Sequence, residues 1–176
     1  MSCCTETTTL DKGSIGEEIL TTWFHENNIP FFPIRQSPET FAHFFINTGK
    51  RPDFFVLLQS LGTIAVDAKN CALSQGYFTI TKQELMKALS FEMVTRIPLW
   101  FAFLNIQHNF ASWYWISTMK AMEGGITRVN RHTGEEFFAI HLSNFIGISS
   151  SADFGQLYTC QLQSAPVISR LIGEKS

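Results

Sequence analysis

The chain has 176 residues, 45% of them hydrophobic, which suits one compact domain with a real core and excludes disorder throughout. Seventeen Phe and four Trp make that core unusually aromatic, and some of the surplus suits an oligomer interface. Net charge is −2, from 13 Lys+Arg against 15 Asp+Glu, so the chain lacks the overall basic excess usual in a nucleic-acid binder and only the placement of charge can argue for one.

In chain order, residues 1–10 read as a loose, Thr-rich tail and residues 11–176 as a single domain. Ser14 to Asn27 reads as a helix: Ser14 and Glu17 have capping-box spacing, Ile15, Ile19, Leu20, Trp23 and Phe24 form an apolar stripe, and Asn27-Asn28 with Pro30 ends it. Phe31 to Arg35 reads as a strand. Residues 36–50 form a connection whose apolar patch, Phe41 to Ile46, suits either a helical turn or an interface. Phe54 to Leu58 and Thr63 to Ala68 read as strands around a turn at Gln59 to Gly62. Lys82 to Thr95 is predicted helical, with Thr81 and Glu84 as a second capping box. Leu99 to Leu104, unbroken and apolar, suits a central strand buried on both faces. Ser112 to Ser117 and Glu136 to Leu142 read as further strands, with a turn at Gly124-Gly125; the last 30 residues are weakly patterned. This order predicts a mixed α/β domain around one central sheet.

The chemistry concentrates on the predicted hairpin. With its turn centred near Ser60, Asp53 and Asp67 face each other across the strands, about 5 Å apart at Cβ. Lys69, two residues beyond Asp67, shares its face, while Ile64, Val66 and Ala68 point to the other, toward a core. Two opposed carboxylates repel unless a positive charge lies between them. A lysine does this partly; a divalent cation does it better, and carboxylate oxygens suit Mg²⁺ or Mn²⁺. Such an ion activates water and stabilises charge on a phosphoryl oxygen, and Lys69 can orient that water or offset transition-state charge. A third acid comes from the first helix: Glu18 points roughly 150° from the apolar stripe, whereas Glu17 sits at its edge, roughly 110° off, and can look along the sheet. Each residue also has an ordinary reading: Asp67 and Lys69 as a solvated polar face, Asp53 as a strand start, Glu17 as a cap, Gln83 as surface. Two divalent ions would turn the charge of −2 into +2. Lys50, Arg51, Lys69, Lys82, Lys87 and Arg96 all fall in the same stretch.

Arg51-Pro52-Asp53, followed by Asp67-Ala68-Lys69, resembles the signature of the PD-(D/E)XK nuclease superfamily. Lys12-Gly13-x-x-x-Glu17 and Arg35-Gln36-Ser37 resemble segments of its archaeal Holliday junction resolvases, and Ile97 to Ala102 resembles their fourth core strand. The resemblance covers about residues 12–104. It implies a restriction-endonuclease-like α-β-β-β-α-β core with a central mixed sheet, to which this chain adds C-terminal strands. It implies a Mg²⁺-dependent endonuclease hydrolysing DNA phosphodiester bonds, including structured or branched DNA, with Mn²⁺ as a substitute ion. Glu17, Asp53, Asp67 and the backbone carbonyl of Ala68 would be metal ligands, Lys69 the catalytic lysine, and Gln83 a polar residue near the scissile phosphate. Homodimerisation is expected on the same ground.

Two other functions compete. A catalytically silent nuclease-fold module for binding or assembly accounts for the weak basicity and the aromatic surplus. A nucleotide phosphohydrolase lacks its expected glycine-rich phosphate loop. Trp113, Tyr114 and Trp115 can stack on bases, but a core strand is the preferred reading, and His132 is read as part of a solvated loop. Cys3, Cys4, Cys71 and Cys160 have no zinc-site spacing and read as free thiols of a reducing compartment. No signal peptide or membrane-spanning run is visible, so the expected location is the cytoplasm, with no membrane partner.

Overall fold

The structure is a computed structural model and describes residues 9–35, 37, 45, 48–59, 62–104 and 112–158, with side chains from residue 14 onward. In chain order the elements are α1 (Thr9–Glu26), β1 (Phe31–Pro33), β2 (Phe54–Leu58), β3 (Gly62–Lys69), β4 (Tyr77–Thr81), α2 (Lys82–Thr95), β5 (Leu99–Leu104), β6 (Trp113–Ser117), α3 (Thr118–Gly124), β7 (Gly125–Val129), β8 (Glu136–His141) and β9 (Ile146–Ile148). Short 3₁₀ turns cover Leu142–Asn144 and Ser151–Tyr158.

A mixed six-stranded sheet, ordered β1-β2-β3-β5-β6-β9, forms the centre. Only β3 and β5 pair in parallel, because α2 carries the chain back between them; the other pairs are antiparallel. The expected α-β-β-β-α-β order is present in α1, β1, β2, β3, α2 and β5, and β6 and β9 extend the same sheet. The expectation of one sheet is corrected. β4, absent from the sequence reading, pairs with β8 and β8 with β7 in a separate three-stranded sheet. Gly124-Gly125 is also not a turn between strands: α3 ends at Gly124 and β7 begins at Gly125.

Both faces of the central sheet are covered. Leu20, Trp23 and Phe24 of α1 pack with Phe54, Val56, Ile64, Val66, Trp100, Trp113 and Trp115 on one face, and Phe154 and Leu157 of the last 3₁₀ turn close the same cluster. On the other face, Ala65, Leu99, Phe101, Phe103 and Ile116 meet Leu85, Ala88 and Phe91 of α2 and Phe78, Ile80, Phe138 and Ile140 of the second sheet. All six residues of β5 are buried, as an unbroken apolar run between two covered faces requires. Trp113 and Trp115 are wholly buried and Tyr114 half-buried, so this strand belongs to the core and its tryptophans are no stacking platform.

α1 starts at Thr9, five residues before the predicted cap, so residues 9 and 10 are helix rather than tail and Ser14 lies inside the helix. The Ser14/Glu17 spacing imitated a capping box while Thr9 to Gly13 continued the helix upstream. Ile15 is 41% exposed and leaves the core stripe, and Gly16 takes the close contact instead. α2 begins as predicted: the Thr81 hydroxyl caps it by accepting from the Glu84 N–H at 3.1 Å. At the far end of α2, Arg96 adopts φ 61° and closes the helix by donating its N–H to the Glu92 carbonyl. Among the described residues no helix is long and apolar enough to cross a membrane. Gln36, the Phe41 to Ile46 patch apart from Phe45, Ser60 and Leu61 of the hairpin turn, Cys3, Cys4 and Cys160 lie outside the described residues.

Candidate active site

The β2–β3 hairpin has the register read from the sequence: Phe54 pairs with Val66, Val56 with Ile64, and Leu58 with Gly62. Gly62 has φ 106°, a backbone conformation that favours glycine, where the turn enters β3. Extending the ladder by one pair sets Asp53 opposite Asp67. Asp53 itself lies in a bend just before β2, tied to β3 twice: its N–H donates to the Val66 carbonyl at 2.9 Å, and its Oδ2 accepts from the Ala68 N–H at 2.8 Å.

Asp67 points to the α2 side, with Ala65 and Phe101, and is 2% exposed. Its carboxylate touches two ammonium groups, Lys50 Nζ at Oδ1 (2.7 Å) and Lys69 Nζ at Oδ2 (2.5 Å). Glu84, from the first turn of α2, completes the set: its Oε1 accepts from Lys50 at 2.8 Å and from Lys69 at 2.5 Å. Two acids and two lysines therefore alternate in a closed ring. Lys69 also lies 5.7 Å from the centre of the Phe101 ring.

Lys50 and Glu84 are the members of this ring that sequence reasoning did not assign to the site. Lys50 appeared only as one of several nearby cations, and Glu84 only as a capping-box partner. Its backbone does receive the cap, but its side chain goes to the lysines instead. A Glu in the first turn of the helix that follows a D-x-K strand is the one signal that pointed there.

Glu17 arrives from the opposite face of the sheet. Gly16 makes this possible: a Cβ there would stand 3.2 Å from Asn70 Cβ, so the missing side chain lets α1 approach the end of β3 closely. Glu17 and Asp53 line one cavity of about 580 Å³, together with Ser14, Thr21 and Ile34. Gln83 is exposed and lines a second groove, about 400 Å³, with Lys50, Arg51, Glu84 and Lys87.

Charge is unevenly satisfied between the two sides. Burial opposes the charged form of Lys69 and Lys50, but Asp67 and Glu84 outweigh it and raise both above the ordinary lysine value. Burial likewise opposes the Glu84 carboxylate, yet Lys69 and Lys50 hold it down at about 2. Asp53 goes the other way: burial first, then the charges of Asp67 and Glu17, push it up to about 8. Glu17 is raised too, by burial and by Asp67. With both acids ionised, the Asp53–Glu17 side would hold an excess of negative charge over what the lysines offset, which is why burial and charge together keep protons there.

That excess, and a donor set of hard carboxylate oxygens, fit a divalent cation in kind and in charge. Among the described residues, however, no three His, Cys, Asp or Glu side chains converge closely enough to be a formed metal shell. His132 sits in the exposed β7–β8 turn, where its N–H donates to Asn130 Oδ1 at 2.9 Å, as a solvated loop would have it.

No protein-family model matches the chain, and no curated protein matches it. Among solved structures, a similar one is Hjc, a Holliday junction resolvase from the archaeal hyperthermophile Archaeoglobus fulgidus, at 13% identity and a TM-score of 0.49, over 82% of this chain and 96% of that one.

Proposed function

We propose that this chain is a divalent-metal-dependent endonuclease of the PD-(D/E)XK type, hydrolysing phosphodiester bonds in DNA, with branched DNA as the first substrate class to test. The observation that supports it best is the junction of Asp53, Asp67 and Lys69 at the end of one hairpin, with Glu17 delivered from α1. Glu17, Asp53, Asp67 and the Ala68 carbonyl would hold Mg²⁺, with Mn²⁺ as substitute. When bound, the ion supplies a Lewis acid and a more acidic water.

The chain's own residues do the rest. Lys69, kept protonated by Asp67 and Glu84, offsets negative charge developing on a phosphoryl oxygen. Gln83, exposed at the start of α2, offers an amide N–H to the phosphate. Lys50, Arg51 and Lys87 give the groove beside it a cationic wall for a polyanion. A homodimer is the assembly proposed with this reading.

The test is cleavage of plasmid, single-stranded and four-way-junction DNA in Mg²⁺. The wild type cuts at least one of them, and an Asp67→Ala, Lys69→Ala double variant cuts none. Equal behaviour of the two on every substrate ends the proposal. One observation favours a second reading, a catalytically silent binding module: ammonium groups cover both oxygens of Asp67. That reading requires the wild type and variants freed of a covering lysine to bind no Mn²⁺ in a calorimeter.

A further inference from the structure

We propose that Lys50 is a displaceable internal counter-ion: in the metal-free protein its ammonium covers Asp67 Oδ1, and divalent-cation binding moves it off that oxygen, onto Glu84 and toward the groove where a DNA phosphate would lie. This rests on the nuclease reading and adds a control step to its site.

Asp67 has a side chain only 3% exposed, and both its oxygens are in ion pairs. A carboxylate so deeply buried without a counter-charge is costly, so a lysine there stabilises the metal-free fold. The same contact blocks a divalent cation, because an ammonium 2.7 Å from Oδ1 occupies the space and carries the charge that the cation would bring. One of the two lysines must yield.

The two are held differently. Lys69 belongs to β3, is paired with Phe103 of β5, lies only two residues from Asp67 and rests over Phe101. Lys50 lies outside any strand, in the segment before β2, anchored by its N–H to the Lys87 carbonyl. It already has a second acceptor in Glu84 at 2.8 Å, so it can release Asp67 and keep a charged partner. It also lines the groove that holds Arg51, Gln83 and Lys87. Lys50 is therefore the lysine that moves, and the move carries a positive charge from the metal ligand toward the substrate.

Two measurements on the full chain test this. In calorimetric titrations with Mn²⁺, Lys50→Met binds about tenfold or more tightly than wild type, the equivalent of one lost competing ion pair, whereas Lys82→Met, whose ammonium pairs with Glu136 instead, stays within about twofold. In amine-labelling mass spectrometry of the wild type, Mg²⁺ raises the reactivity of Lys50 several-fold and leaves Lys87 unchanged. The labelling needs no variant, so it decides the matter if Lys50→Met does not fold. Wild type and Lys50→Met binding Mn²⁺ equally well overturns the inference and leaves the nuclease reading standing. Bound Mg²⁺ with no change in Lys50 labelling does the same. If neither protein binds Mn²⁺, the nuclease reading falls and this inference with it.

Discussion

Asp53 and Glu84 both feel the charge of Lys50, yet their environments drive them in opposite directions. Glu84, held at about 2, adds stability that is complete above its ordinary value of 4.5 and is lost as the pH falls toward 2. Asp53, raised from 3.8 to about 8, does the reverse: the folded protein prefers its protonated form, so metal-free stability declines as the pH rises from about 4 to about 8. In EDTA, Asp53→Asn should therefore melt above wild type at pH 8, by about 2–4 °C for each kcal/mol relieved, with the gap closing toward pH 4. A gap independent of pH would mean that Asp53 is not the strained acid. A bound cation needs the carboxylate ionised, so Mn²⁺ uptake at pH 7 should release close to one proton, read from binding heats in two buffers of different ionisation enthalpy. That Asp53 and Asp67 stand opposite in the hairpin register was legible because register follows simple alternation around a short turn. Lys50 and Glu84 were not, since the contact from residue 50 to residue 84 depends on how α2 docks.

α1 shows how one small residue sets the distance between two elements. Glycine inside a helix costs about 1 kcal/mol relative to alanine, which makes Gly16 a poor choice for the helix by itself. Its use is the close packing on Asn70, which brings Glu17 to the end of β3. Gly16→Leu should push α1 away, costing about 1–3 kcal/mol in urea denaturation and cutting metal affinity more than stability. Unchanged Mn²⁺ affinity in a folded Gly16→Leu protein would remove Glu17 from the site. The limits of α2 and β5 were readable to the residue, because a threonine cap and an unbroken apolar run are strong local signals. β4 and α3 were missed for the opposite reason: each is short, and each is held by partners distant in sequence, β4 by β8 and α3 by α2 and β8.

Across the whole molecule, the central sheet is a wall between two apolar clusters, and the acids sit at one end of it, reached from both sides. The last described segment contributes to this wall: Phe154 packs edge-on to Trp115 at 5.4 Å and to Trp23 at 6.2 Å between ring centres. Phe154→Ala should cost about 3 kcal/mol by urea denaturation, and leave Mn²⁺ affinity close to wild type because it lies in the α1-side core rather than among the acids. A loss below about 0.5 kcal/mol would place that segment outside the cooperative fold.

Local order settled the first questions about this protein. Alternation set the hairpin register, a threonine cap set the start of α2, and an uninterrupted apolar run marked β5; all three are decided by residues within a few positions of one another. The separation of a second sheet, the ring joining Lys50, Asp67, Lys69 and Glu84, and the burial that lifts Asp53 were decided only in three dimensions. Each depends on which distant elements exclude water from the same small volume, and neither charge pairing nor desolvation is set until those elements meet.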